Sequence, residues 1–396
     1  MIAPTIARDA RDFEALCGRV RASERVAIDT EFHAERTYSP RLMVVQLAFD
    51  DGAAIVDPLA ISDLRPLLDA LCEVVVVGHA LSSDLKIFAD RFDTVPARVY
   101  DTQVFAAFLG YGMQISLADL VHDLRHVRLA KSQTVSDWST RPFSERQIEY
   151  LVDDVAHLLP MYDALRERLD AEGRFEWARE ECAALGEIER YRMDERRAYL
   201  RIPGAMRMNR RELGVLAEVV RLRDGIARQR DLPPKFVIPD DVVGGLATLK
   251  PRTVEDLAQL RRLDAGVRRQ LGAAILEAVA RGQALRDEEL PERPQRPLGP
   301  SRDTLASLLG VVVGEIARDA GLPSSLLVPR SMLERLAREV PRDRAAFDQV
   351  LALSPWRLDL VGDRLWRLLS GEASLTIEGY AHGDPKVRLS DESPSQ

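Results

Sequence analysis

Two carboxylates one residue apart, Asp29 and Glu31, close the apolar segment Val26-Ala27-Ile28-Asp29-Thr30-Glu31-Phe32. Residues i and i+2 of a strand project to the same face. A strand that continues through Glu31 therefore sets two negative charges side by side. Their repulsion grows with burial unless a cation neutralises them. An oxygen-only pair suits a hard cation such as Mg²⁺ or Mn²⁺. The competing reading is a strand that ends in a polar turn. Asp84 stands just beyond the apolar run Val74-Val75-Val76-Val77-Gly78. In the first turn of a helix it would also satisfy the macrodipole, which is a structural role. Tyr150 and Asp154 are four apart in a helix-like stretch, 144–159, which puts them on one helix face. Asp153, three from Tyr150, is an alternative to Asp154, and a solvated helix face is an alternative to both.

These residues need elements to position them. The segment 26–29 reads as a strand. Leu42-Met43-Val44-Val45-Gln46-Leu47-Ala48-Phe49 and Ala53-Ala54-Ile55-Val56-Asp57 suggest a meander turning at Asp50-Asp51-Gly52. The β-branched run 74–78 predicts a central strand buried on both faces. Ser82 or Ser83 is a candidate cap for a helix over 84–92. Strands mixed with helices predict an α/β domain in the first part of the chain. From about residue 161 the strand signals stop and Leu, Ala, Arg and Glu recur at helical spacing. The charged, proline-rich 287–300 reads as a linker, and the polar 383–396 as a disordered tail. Inside the helical part, Ile226-Ala227-Arg228, Leu232-Pro233, Pro239, Leu246-Ala247 and Pro251-Arg252 return as Ile316-Ala317-Arg318, Leu322-Pro323, Pro329, Leu336-Ala337 and Pro341-Arg342. A constant offset with fixed prolines predicts fixed turns, hence two copies of one helical bundle, 207–285 and 301–378.

Composition sets outer bounds. The 396 residues are 46% hydrophobic, which excludes wholesale disorder. A net charge of -8 argues mildly against a simple nucleic-acid binder, though not against an enzyme with a local basic track. Cys17, Cys72 and Cys182 lie far apart, as expected of core packing in a reducing compartment. No signal peptide and no membrane-spanning run is read, so a cytoplasmic protein is expected. His33, His122, His126 and His157 show no spacing tied to cysteines, so no zinc site is assigned. No GxxxxGK[ST] motif occurs, so no nucleotide cofactor is expected.

The order Asp29-x-Glu31, Asp84, Tyr150-x-x-x-Asp154 resembles the DEDDy class of 3′–5′ exonucleases. The flanking matches are closer to the ribonuclease D family: Ala27-Ile28-Asp29-Thr30-Glu31-Phe32, Tyr38-Ser39-Pro40…Gln46-Leu47, Tyr100-Asp101-Thr102-Gln103, Ser116-Leu117-Ala118, Lys131-Ser132, Asp137-Trp138-Ser139…Arg141-Pro142 and Gln147…Tyr150…Asp154-Val155. The resemblance covers nearly the whole chain. One departure is Ser83, where relatives often carry Glu. The resemblance implies an RNase H-like exonuclease domain over 1–200, a mixed sheet with flanking and connecting helices. It further implies that the two all-α bundles resemble HRDC domains, which this family uses for nucleic-acid contact.

The implied chemistry is phosphodiester hydrolysis with two divalent ions, Mg²⁺ or Mn²⁺, roughly 3.5–4 Å apart. On the family pattern Asp29 bridges both ions, Glu31 and Asp154 complete the site that activates water, and Asp84 helps hold the other ion. Tyr150 orients the water; an unperturbed phenol pKa of about 10 makes it a poor base. Thr30 and Phe32 would contact the terminal nucleotide, Phe32 by stacking. His79 and Lys131 are candidate phosphate contacts, with a hydrogen-bonded core histidine and a solvated loop lysine as alternatives. The expected activity is a 3′–5′ exoribonuclease releasing nucleoside 5′-monophosphates from RNA 3′ ends, with tRNA precursors as partners. A single-strand DNA 3′–5′ exonuclease is the alternative enzyme, and a non-catalytic RNA-binding protein on the same fold is the alternative class. In the first bundle Arg207, Arg210, Arg211, Arg221, Arg223, Arg228, Arg230 and Lys235 form either a phosphate-binding face or, with their acidic neighbours, a mixed solvated surface. Trp356 and Trp366 are expected in the core.

Overall fold

Nine residues of β2 (Arg25–His33) carry the acidic pair through the middle of a sheet, because Val26, Ala27 and Ile28 are fully buried on both its faces. The computed structural model describes residues 4–129, 137–192, 194–292, 298–380, 383 and 386–390. The six-stranded sheet contains β1 (Thr5–Ala7), β2, β3 (Arg41–Phe49), β4 (Gly52–Val56), β5 (Val75–Gly78) and β6 (Val99–Asp101). Its spatial order is β1-β4-β3-β2-β5-β6. The meander β2–β3–β4 is antiparallel, while β5 and β6 are parallel to β2 and to each other respectively. Asp29 lies opposite Gln46 and Glu31 opposite Val44. The register then skips Met43, so that Phe32 faces Leu42. This bulge twists the end of β2 just where the acidic pair stands.

One face of the sheet is covered by α1 (Ala10–Ala22), α2 (Arg65–Glu73) and α3 (Ser82–Phe92). The other is covered by α4 (Thr102–Phe108), α5 (Leu117–Arg125), α6 (Glu145–Ala156), α7 (Leu158–Ala171) and α8 (Phe175–Ala183). The expected helix 144–159 is broken at His157 into α6 and α7. Ser82 and Ser83 are the first residues of α3 rather than its cap, and the N-cap position falls to Leu81.

The repeat appears as matched helices. The first copy has α9 (Arg210–Arg230), α10 (Pro234–Val237), α11 (Asp240–Leu249) and α12 (Ala265–Ala284). The second has α13 (Pro300–Ala320), α14 (Ser324–Leu327), α15 (Arg330–Glu339), α16 (Arg344–Leu351), α17 (Pro355–Arg357) and α18 (Asp363–Ser370). The first three helices of each copy start and stop at the same offset. In place of the single helix α12, the second copy has α17, a π-turn over Leu358–Gly362, and α18. Two strands that periodicity did not anticipate, β7 (Ser374–Glu378) and β8 (Lys386–Ser390), pair antiparallel. The expectation of an unstructured tail over 383–396 therefore fails at 386–390. Short alternating segments after a helical region carry too weak a pattern to stand out.

The two copies attach differently. The first has a core of its own. The second shares one continuous core with α4, α7 and α8. Trp356 stacks on Trp177 with centroids 4.7 Å apart and meets Phe108 edge-on at 5.6 Å. Arg357 pairs with Glu180 at 3.1 Å and with Glu181, and Arg174 donates to the Ala320 carbonyl at 2.7 Å. Replacing Trp356 by Ala is expected to cost about 3–5 kcal/mol, as for other buried aromatic truncations. Chemical denaturation should show the nuclease and second copy losing stability together, and a loss confined to the second copy would contradict the shared core.

Candidate active site

Three elements converge on one end of the sheet. β2 supplies Asp29 and Glu31 on one face, as period-2 geometry requires. α6 crosses β3 and β2 and supplies Tyr150 and Asp154. Its start is fixed by a capping box, Ser144 with Gln147, so the phase of every later side chain is set. That phase selects Asp154 over Asp153. One carboxylate oxygen each from Asp29, Glu31 and Asp154 lies within 4.8 Å of the others.

Asp84 comes from α3 and approaches from beside this triad. The turn that delivers it is tight. Ala80 adopts a left-handed backbone, φ 57°. Asp101 holds that turn: its carboxylate accepts from the Ala80 and Leu81 amides at 2.9 Å each and also caps α4 through Gln103 at 2.8 Å. Asp84 is 5% exposed and accepts a hydrogen bond from the Thr30 hydroxyl. Thr30 is thus committed to Asp84. His79 engages Thr102 Oγ1 at 2.9 Å and the Ile115 carbonyl at 3.0 Å, so both ring nitrogens are used inside the protein. This corrects its expected role as a phosphate contact. Phe32 lines a groove of about 1040 Å³ between the nuclease and the first bundle, together with Tyr38, Ser83, Lys86 and Arg228. Lys131 lies outside the described residues.

The electrostatics follow from burial. Asp29 is raised well above the usual carboxylate range by burial, then by the charges of Asp84, Asp154 and Glu31. Burial and then Asp154 and Asp84 push Glu31 up to about 8. Burial takes Asp154 up to about 7, against the Tyr150 hydrogen bond that lowers it. Burial takes Asp84 up to about 6, against the Thr30 hydroxyl. Tyr150 is raised further from its ordinary value by burial and the charges of Asp154, Glu31 and Asp29. Its phenol stays protonated. The donor set fits divalent cations: it is all oxygen, it is self-repelling, and Asp154 Oδ2 is buried without a hydrogen-bond partner.

Asp101, Gln46 and Trp138 are visible in the sequence only as parts of motifs, with no role assigned. Gln46, fully buried opposite Asp29, keeps an amide with no partner. Trp138 packs on the Tyr150 ring at 5.8 Å. Their signal lies in which strand pairs with which, and a linear pattern does not carry it. Of the first-bundle cations, Arg211, Arg221, Arg223 and Arg228 are ion-paired, and Arg210 donates to the carbonyls of Asp287, Leu290 and Pro291. That face is a mixed one.

The mixed sheet with its carboxylate cluster at one strand end lies within residues 4–170, the span that the family model for 3′–5′ exonuclease matches, and this sets the class as a nuclease. The HRDC domain model matches 212–279, within the first bundle. Ribonuclease D of Granulibacter bethesdensis is 37% identical over 382 residues, 95% of each chain. Ribonuclease D of Acidiphilium cryptum is 35% identical over 383 residues, again 95% of each. The crystal structure of Escherichia coli RNase D superposes with a TM-score of 0.82 at 29% identity, covering 93% of this chain and 98% of that one. The chain belongs to the ribonuclease D family and is a 3′–5′ exoribonuclease. No helix among the described residues is long and apolar enough to cross a membrane.

The raised carboxyls predict a pH dependence. A carboxyl whose folded pKa lies above its unfolded value favours the folded state when protonated. That contribution is complete below about pH 4 and is lost as pH rises through about 6–8. The metal-free protein should therefore melt at falling temperatures from about pH 5 to 8, and Mn²⁺ should raise the melting temperature more at pH 8 than at pH 6, because its ligands must be ionised. Melting curves with and without Mn²⁺ check this; a profile flat in pH would contradict it.

Proposed function

We propose that this exoribonuclease removes nucleotides one at a time from RNA 3′ ends, with Asp29, Glu31, Asp84 and Asp154 holding two divalent cations. When bound, such ions activate water and neutralise charge at the leaving 3′ oxygen. The observation that carries the reading is the approach of Asp29, Glu31 and Asp154 oxygens to within 4.8 Å from elements far apart in sequence. Such an arrangement is unfavourable without a cation.

The chain's own groups take distinct parts. Asp29, whose carboxyl feels the charges of Asp84, Asp154 and Glu31, would be a ligand central to the cation site. Thr30 holds Asp84 by its hydroxyl and so fixes one edge of the site. Tyr150, kept protonated by burial and the neighbouring carboxylates, orients the attacking water; it does not take the proton. Phe32, next to Glu31 in β2 and lining the groove, stacks on the terminal base. The groove between nuclease and first bundle leads a single strand to that point. The E. coli relative is described as an exoribonuclease involved in structured RNA processing. We assign the same substrate class here, with tRNA precursors as the natural targets. The three free thiols suit a reducing, cytoplasmic setting.

The test is product analysis on labelled RNA with and without Mg²⁺ or Mn²⁺, beside a DNA strand of the same sequence. Nucleoside 5′-monophosphates released only with metal, and faster from RNA, are expected. Asp29→Asn or Asp154→Asn should lower kcat by about 10³-fold or more, the several kcal/mol that metal-held charge contributes. RNA binding measured by gel shift should stay within about threefold, since each variant removes one charge far from most phosphate contacts. Turnover at the wild-type level in either variant would refute the assignment.

A further inference from the structure

The guanidinium of Arg141 uses all five of its donors. Nε and Nη2 clamp the Asp57 carboxylate at 2.6 and 2.8 Å. Nη1 donates to the carbonyls of Trp138 and Thr140 at 2.6 and 2.9 Å, and Nη2 donates to the carbonyl of Met43 at 2.9 Å. Asp57 is 3% exposed and directly follows β4. Two of these bonds reach the candidate active site. Met43 is the residue that β3 inserts between the Glu31–Val44 and Phe32–Leu42 pairs. Trp138, 4% exposed, carries its ring against Tyr150 and packs with Met43, Val44 and Leu151. One planar group thus ties together the bulge beside Glu31 and the aromatic wall beside Tyr150.

We propose that Arg141, locked by Asp57, is a positioning residue for the hydrolysis. It fixes Glu31 through the Met43 bulge and Tyr150 through Trp138. The proposal rests on the roles given above to Glu31 and Tyr150. A guanidinium is required because a lysine ammonium has three donors and no planar fork, so it cannot hold a carboxylate and three carbonyls together. Groups that orient metal ligands from behind typically change affinity or activity by about 10–100-fold when removed.

The experiment compares Arg141→Lys, Trp138→Phe, Trp138→Ala and Asp29→Asn. For Arg141→Lys, kcat on single-stranded RNA is expected to fall about 10–100-fold, with KM within about twofold. Mn²⁺ binding to the protein alone, read by calorimetry, is expected to weaken about tenfold. Trp138→Phe should recover most of the kcat lost in Trp138→Ala, because a ring still meets Tyr150. A purely structural arginine would lower the melting temperature and leave the kcat and Mn²⁺ affinity of the folded fraction unchanged, and that result overturns the proposal. Should Arg141→Lys fail to fold, equal kcat in Trp138→Phe and Trp138→Ala overturns it instead. An inactive Asp29→Asn beside a wild-type-like Arg141→Lys removes this inference alone; an active Asp29→Asn removes the site assignment and this inference with it.

Discussion

Mutual repulsion among the carboxylates of Asp29, Glu31, Asp84 and Asp154 is the constraint around which the nuclease is arranged. Left in water these groups would separate. In the fold burial first, and for Glu31 also the charges of Asp154 and Asp84, raises them toward protonation, Glu31 to about 8 and Asp154 to about 7. The rest of the domain therefore has to contribute enough rigidity to hold an unfavourable cluster in place until cations offset it. Burial of the sheet on both faces supplies that rigidity, with Val26, Ile28, Val76 and Val77 fully enclosed around the acidic strand.

Each acidic residue has its own support, and the supports differ in kind. Asp29 and Glu31 are held by ladder register, which leaves them no rotation about the strand. Asp154 is held by helix phase, set ten residues earlier by the Ser144–Gln147 capping box. Asp84 is held by a left-handed turn that Asp101 clamps from the neighbouring strand. Backbone hydrogen bonding thus does most of the positioning, and side-chain contacts such as Thr30 to Asp84 refine it.

Much of this was legible in sequence because it is periodic. The i, i+2 pair of Asp29 and Glu31 announces its own geometry. The i, i+4 pair of Tyr150 and Asp154 does so nearly as well, although the choice between Asp153 and Asp154 needed the true helix phase. The bundle repeat showed because prolines mark turns at fixed spacing. What stayed hidden depends on partners distant in sequence. Whether His79 is a phosphate contact or a hydrogen-bonded core histidine stays open in sequence until Thr102 and the Ile115 carbonyl are seen to occupy both ring nitrogens. Arg141 reads as one arginine among many until Asp57, Met43 and Trp138 surround it. The β7–β8 hairpin was missed because ten residues of weak alternation do not outweigh a helical context.

The unequal attachment of the two bundles bears on how such a chain can change over generations. The first bundle meets the nuclease chiefly through Tyr38, which bonds Asp231 and Arg228 and packs on the edge of the bundle's largely separate core. Gene rearrangements that lose or exchange it would leave both pieces with intact interiors. Deleting the second copy would strip Trp177 and Phe108 of their cover and leave a wet scar on the nuclease. The module that matches the HRDC model is thus the more readily detached, while the second bundle is built into the catalytic body.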